Sequence, residues 1–259
     1  LLSLWQYEKA VIPWYDHIPG RPDVPKGQRY RGSEGMTSPA KILAKEFTVE
    51  TTFFLQRIEH KENIWTLHPK DDGQRTLEAD HLVLTIPSIQ LLELFQRSDY
   101  ELDEDTMIRL RSIRHTRCLA VLGIMDRPSS LESPGTLTHP VPEIDWISDN
   151  QIKGISQKPA CTIHASDEYS QKFWNASDSE RVPSLLSIAE ENLNVKIMSW
   201  SSHRWGFAKP VVTFGATHWH SSPRGITLAG DGFGGERIEK AAMSGWDAAA
   251  AIIGETGNP

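Results

Sequence analysis

The stretch Ile226-Thr227-Leu228-Ala229-Gly230-Asp231-Gly232-Phe233-Gly234-Gly235, with the run to Gly254 that follows it, constrains the fold of this chain more than any other. Its four apolar or small residues read as a short buried strand that ends at Gly230-Asp231. Beyond the glycines, Ile238, Ala241, Ala242, Gly245, Ala248, Ala249 and Ile252 recur at three- and four-residue spacing, which predicts a helix from about Arg237 with its small face inward. A helix that begins straight after a strand and two glycines turns unpaired N–H groups toward the space beyond the strand end. That arrangement suits an anion or a polar ring, and Asp231 can accept hydrogen bonds from sugar or ribityl hydroxyls there. A structural strand–turn–helix, with glycines for tight packing, fits the same residues.

Composition narrows the ligand. The net charge is −7 with no run of Lys or Arg, so the chain carries no electrostatic footprint for nucleic acid or an anionic membrane surface. A small molecule is the more natural ligand. The two cysteines, Cys118 and Cys161, form neither a C-x-x-C pattern nor a disulfide framework, which points to a reducing cytoplasm. No apolar run approaches the ~18 residues of a membrane span. With 259 residues the chain can bury one large core or two packed ones.

Residues 13–35 read as an irregular crossing segment, and Ser38-Pro39 opens a helix to about Ala44. Thr48 to Ile58, Ile64 to Leu67 and Gln74 to Leu77 read as a β-meander, with Asp71-Asp72-Gly73 as its clearest turn. The run His81 to Pro87 is apolar enough for a strand buried on both faces, followed by an amphipathic helix capped by Ser88. In the middle, Cys118 to Met125, Glu143 to Ser148, Ala160 to Ala165 and Lys196 to Trp205 are candidate strands, and 168–176 and 184–193 look helical. The expectation is an α/β chain of two lobes. Residues 30–98 and 223–259 would form an incomplete Rossmann-like cofactor lobe, and 1–29 with 99–222 a mainly antiparallel substrate lobe.

The sequence Gly230-Asp231-Gly232-Phe233-Gly234-Gly235-Glu236-Arg237-Ile238-Glu239-Lys240-Ala241-Ala242-Met243-Ser244-Gly245 resembles the C-terminal FAD motif of the flavin-containing amine oxidase superfamily, in its renalase-like branch. Three segments match in the same order: Tyr30 to Met36, Leu84 to Gln90 and His203 to Pro210; Trp146 to Asn150 is a weaker match. The family begins with a strand and a G-x-G-x-x-G loop for the FAD pyrophosphate. No such motif is expected in this sequence, and the Leu1 end already resembles a later part of the family. The expectation is therefore a family member lacking its N-terminal portion.

The resemblance implies roles. Asp231, beside Gly230 and Gly235, would bind the ribityl or pyrophosphate region of FAD. The amides around Arg237, Ile238 and Glu239, with Ala242 on the same helix, would face the flavin pyrimidine edge, where the helix dipole stabilises negative charge. Leu55 would lie against adenine, Thr85 and Pro87 would line the cleft, and Gly35 and Met36 belong to a matching segment. Trp205 would form an aromatic wall, with His203 and Arg204 as polar neighbours. Trp205 as plain core and His203 as a structural histidine remain open. His218 and His220 would share one strand face, yet no third ligand suggests zinc, so no metal is expected. Glu101 to Asp105 reads as a solvated acidic helix start.

The implied activity is FAD-dependent oxidation of a C–H next to nitrogen, in an amine or dihydronicotinamide (dihydropyridine) substrate, with O2 as acceptor and hydrogen peroxide as product. The rival is a truncated, non-catalytic remnant or binding module unable to hold FAD by itself.

Overall fold

The computed structural model describes residues 1–18, 23, 26–71 and 73–256, with only the backbone of residues 255 and 256. Part of the irregular segment 13–35, and Asp72 in the expected Asp71-Asp72-Gly73 turn, lie outside the described residues. The chain divides into two compact units, residues 1–49 with 117–205, and residues 50–116 with 206–259. Residues 30–49, placed in the cofactor lobe from sequence, cluster with the first unit, and 99–116 and 206–222 with the second. The fold class is mixed α/β, with mainly antiparallel sheets.

The first unit opens with α1 (Leu2–Tyr7), the hairpin β1 (Val11–Tyr15) and β2 (Arg29–Gly32), and α2 (Ser38–Ala44). The second takes over with β3 (Leu55–Lys61), β4 (Ile64–Pro69) and β5 (Leu77–Ala79), an antiparallel meander as expected, though its first strand starts at Leu55 and not Thr48. Next come β6 (Leu82–Leu84), α3 (Ser88–Arg97), α4 (Glu104–Ser112) and β7 (Arg114–His115). Asp103 caps α4 by accepting from the Thr106 N–H at 2.9 Å, so the acidic stretch is a helix start.

Chain and fold then return to the first unit with β8 (Cys118–Met125), β9 (Thr136–Val141), β10 (Ile144–Asp149), β11 (Ala160–Ala165), α5 (Asp167–Lys172), α6 (Asp178–Arg181), α7 (Pro183–Leu193) and β12 (Ile197–Trp205). The five strands make one antiparallel sheet in the order β12-β8-β11-β10-β9. Because side chains alternate across a strand, Leu119, Val121 and Met125 of β8 fall on one face and Cys118, Ala120, Leu122 and Ile124 on the other. The first set packs with Ile163, Leu185, Ala189 and Leu193 into the core of this unit. Of the second set, Leu122 and Ile124 are 47% and 45% exposed, leaving an outer face that core packing does not use.

The second unit closes with β13 (Pro210–Val212) against β7, β14 (Trp219–Ser221), β15 (Ile226–Leu228), the single turn α8 (Asp231–Gly234) and α9 (Ile238–Thr256). Its short sheet runs β14-β15-β6, and β15 pairs with β6 in parallel. Ile226, Leu228, Leu82, Leu84, Leu91, Phe95 and Trp65 meet in its core.

Two local expectations need correction. In β6 only Leu82 and Leu84 are buried, and Val83 is 46% exposed, because β6 is an edge strand with one uncovered face. Ser88 does not cap α3: Pro87 holds the N-cap position, while the Ser88 hydroxyl, one residue inside, is buried without a partner.

Candidate functional site

Two parallel strands of three residues each, β6 and β15, end side by side, and the chain leaving β15 builds the candidate site. The Ala229 N–H donates to the Leu84 carbonyl at 3.1 Å, so the next residues, Thr85 and Gly230, come together. Gly230 has φ +119°, and a Cβ there would stand 3.3 Å from the Thr85 carbonyl oxygen. Both strain and closeness therefore require glycine. Gly235 repeats the device with φ +107°, and Arg237 with φ +86° turns the chain into α9.

Gly230, Gly232 and Gly235 spell G-x-G-x-x-G between strand and helix, which corrects the expectation that the sequence holds no such spacing. Here the loop contains the helical turn α8, and Gly234 lets it press on α9, since a Cβ there would meet the Lys240 carbonyl oxygen at 2.3 Å. Ser244 fastens the loop to the helix: its hydroxyl accepts from the Gly230 N–H at 2.8 Å and donates to the Thr217 carbonyl. Ser244 and Ala248 are buried, Ala241, Ala242 and Ile252 are half-buried, and Ile238, Gly245 and Ala249 are exposed. The inward stripe of α9 is thus rotated relative to the small-residue pattern, because the fully buried Ser244 serves as a hydrogen-bonding post. The first helical bond of α9 runs from the Ala241 N–H to the Arg237 carbonyl, which leaves the amides of Ile238, Glu239 and Lys240 without a helical partner.

Asp231 heads α8 with its side chain 39% exposed and one carboxylate oxygen 3.7 Å from Nε2 of His115. The His115 ring holds the Asp231 carboxyl below its ordinary range, against the opposing effect of burial. At that distance no hydrogen bond is made, and neither ring nitrogen of the buried His115 side chain has a hydrogen-bond partner among the described residues. Phe207 lies edge-on to the imidazole at 5.7 Å. His115 was not singled out from sequence. It sits on a two-residue strand with no periodic signal, and only the pairing of β7 with β13 brings it here.

The structure therefore brings Thr85, Gly230, Asp231 and Gly235 together at the start of α9, with Arg237, Ile238, Glu239 and Ala242 on that helix or just before it. Pro87 caps α3, and Leu55 packs on the core from β3. Gly35, Met36, His203 and Trp205 belong to the other unit. Gly35 and Met36 form the tight connection from β2 to α2, where a Cβ on Gly32 would overlap the Gly35 carbonyl. His203 and Trp205 are alternate residues of β12 on the outer sheet face, their ring centroids 4.6 Å apart. Trp205 is 54% exposed and not core.

His218 precedes β14 and does not share a strand face with His220, whose ring stacks on His81 and meets the Thr227 hydroxyl at 2.7 Å. Among the described residues no three His, Cys, Asp or Glu side chains cluster as a metal site. No described helix is long and apolar enough to cross a membrane.

No family model matches the sequence. In three dimensions the chain is similar to a protein of Exiguobacterium sp. 255-15 assigned as a protoporphyrinogen oxidase, at TM-score 0.65 and 17% identity over 91% of this chain and 54% of that one. It is also similar to the cyclohexylamine oxidase of Brevibacterium oxydans IH-35A, at TM-score 0.60 and 18% identity over 80% and 49% of the two chains. Putrescine oxidase with putrescine bound matches at TM-score 0.60 and 16% identity over 90% and 55%. The chain shares the fold of these oxidases. It spans about half the length of the solved structures it matches.

Proposed function

We propose that this protein is an FAD-dependent oxidoreductase of the amine oxidase type, renalase-like in its motifs, acting on a small amine or dihydropyridine. The observation that carries the reading is the glycine-strained loop at the ends of β6 and β15, which carries Asp231, its carboxyl held below the ordinary range, into the start of α9. The residues present fit the flavin end of such a cofactor. Gly230 and Gly235 hold backbone that a Cβ would strain, Asp231 is half-exposed and a hydrogen-bond acceptor, and buried His115 has two unsatisfied nitrogens behind it.

FAD, when bound, supplies the hydride acceptor for a C–H next to nitrogen, and O2 takes up the electrons to give hydrogen peroxide. The chain's own residues do the rest. Asp231 accepts hydrogen bonds from polyol hydroxyls, and the nearby His115 ring favours its ionised form. The positive end of α9 favours negative charge on a ring set against Ile238 and Glu239. Trp205 offers an aromatic wall that orients a flat substrate, and His203 a polar edge beside it.

The test is the visible spectrum of the 259-residue protein with added FAD, alone and together with any residues its gene encodes before Leu1. A perturbed flavin band in either form, weakened in Asp231→Ala, is the expected result. Binding only in the longer form makes the 259 residues a part of the site and not an enzyme by themselves. No bound flavin in either form, or an Asp231→Ala variant with unchanged affinity, overturns the assignment of the loop. For the reaction, hydrogen peroxide release from amines is measured in Trp205→Ala, which should turn over more slowly while holding FAD as before.

A further inference from the structure

The first unit holds two half-buried cations, Arg31 and Lys153, that stand without a carboxylate partner among the described residues. Arg31 on β2 directs its guanidinium to the Gly32 and Ser33 carbonyls at 3.4 Å each, weak contacts for a charged donor. The same guanidinium stands against the turn after β10, where a Cβ on Gly154 would be 2.7 Å from it. Lys153 in that turn lies over the ring of Trp14, 4.1 Å from its centroid. Both cations are half-buried, and neither forms an ion pair with a carboxylate among the described residues. Burial and the Arg31 charge hold the Lys153 ammonium below its ordinary range. Two like charges withdrawn from water together are unfavourable until an anion joins them. The guanidinium fork beside an ammonium suits a carboxylate or a phosphate.

The pair stands at one end of a defined track. Trp14 lies edge-on to Trp146 at 6.0 Å and fixes its own indole by donating to the Pro134 carbonyl at 3.1 Å. From Trp146 a cross-strand row runs over the outer face through His164 and Ala120 to His203, each in register with the next. Three strand spacings make that row about 14 Å long. Neither this row nor its neighbour, from Thr136 through Ser148, Thr162 and Leu122 to Ser201, contains an acidic residue. The two rows carry indole, imidazole and aliphatic side chains: Leu122, Ser201 and His203 are exposed, Trp146, His164 and Thr162 half-buried, and Thr136, Ser148 and Ala120 buried.

We infer that Arg31 and Lys153, with Trp14, form an oxyanion-binding site for the carboxylate or phosphate group of a ligand whose apolar body lies along the outer sheet face. That this ligand is the substrate rests on the function proposed above; the anion site does not. The substrate class then becomes an amine or dihydropyridine with an anionic group remote from its reacting nitrogen, favoured over a free diamine because neither row carries a carboxylate.

Tryptophan fluorescence reads the site through Trp14 and Trp146. The 259-residue protein is titrated with sodium phosphate and, separately, with sodium acetate, at ionic strength held constant with sodium chloride. A saturable change with either oxyanion is expected, its midpoint rising about tenfold or more in Arg31→Gln and Lys153→Gln and holding in Lys153→Arg. Saturation by phosphate alone identifies a phosphate group, and saturation by acetate alone a carboxylate. A non-saturable response, or one unchanged in Lys153→Gln, overturns the proposal. If Arg31→Gln fails to fold by circular dichroism, Lys153→Gln decides alone, since Lys153 lies in a turn outside the strands and helices. No flavin is needed, so failure here leaves the FAD assignment standing, and absence of FAD binding leaves the anion site standing.

Discussion

In the first unit, β8 and β12 run side by side for eight and nine residues, and strand alternation does the sorting: Leu119, Val121 and Met125 go inward, while His203, Trp205, Leu122 and Ile124 stay on the open face. In the second, β6 and β15 are three residues each, and the chemistry sits on the loop that leaves them. A broad antiparallel sheet presents side chains in rows. A short parallel pair presents backbone amides, which need glycine, a helix start and a carboxylate to become a site. The first arrangement tolerates substitution of its exposed residues, because packing does not depend on them. The second does not, because Gly230 and Ser244 hold the loop and bind it to the helix at once.

The sharpest test of this contrast removes one core at a time. Leu185→Ala and Leu110→Ala each empty a fully buried position, in the first and second core respectively, and each should cost about 2–5 kcal/mol. If the cores are separate cooperative units, a thermal melt followed by calorimetry will split into two transitions, each variant lowering one. A single transition lowered equally by both would erase the division. Next in size is Gly230→Ala, where φ +119° and the 3.3 Å approach to Thr85 should cost about 1–3 kcal/mol by denaturant titration, with FAD affinity falling as well. Helix caps come third, since both units use the same device. Asp103→Ala and Ser166→Ala each free an N-terminal amide and should cost about 0.5–2 kcal/mol.

Trp205→Ala and His203→Gln, by contrast, should leave stability within about 0.5 kcal/mol, because both residues lie on the uncovered face. Smallest of all is a difference confined to acid. The Asp231 carboxyl is held below its ordinary range, so its contribution is fully present above the unfolded value of about 3.9 and is lost as pH falls through the lower folded value. Urea midpoints of the wild type and Asp231→Asn should therefore run parallel from neutral pH to about 5. Below about 4 the wild type should fall more steeply, and parallel lines there would remove His115 as the partner of Asp231.

Legibility in the sequence followed the same division. Strands β8 and β11 begin and end where the apolar runs Cys118 to Met125 and Ala160 to Ala165 predict, because long strands with one buried face carry their period in the residues. The parallel strand β15 and helix α9 were also legible, the first from its apolar run, the second from its glycines and small residues. Edges and ends were not. Val83 belongs to an apolar run yet faces solvent, since whether a second face is covered depends on strand order. Ser88 reads as a cap, but the helix begins one residue earlier in the register, with Pro87 at the cap.

The sequence by itself determined the elements whose residues repeat and the loop whose glycines no other residue can replace, because periodicity and positive φ are local properties. Tertiary structure alone decided the partners. His115 reaches Asp231 across more than a hundred residues through the pairing of β7 with β13, and Lys153 reaches Trp14 across still more. Such meetings are set by strand order and packing, not by spacing along the chain, and the charges that tune both candidate sites arise from them.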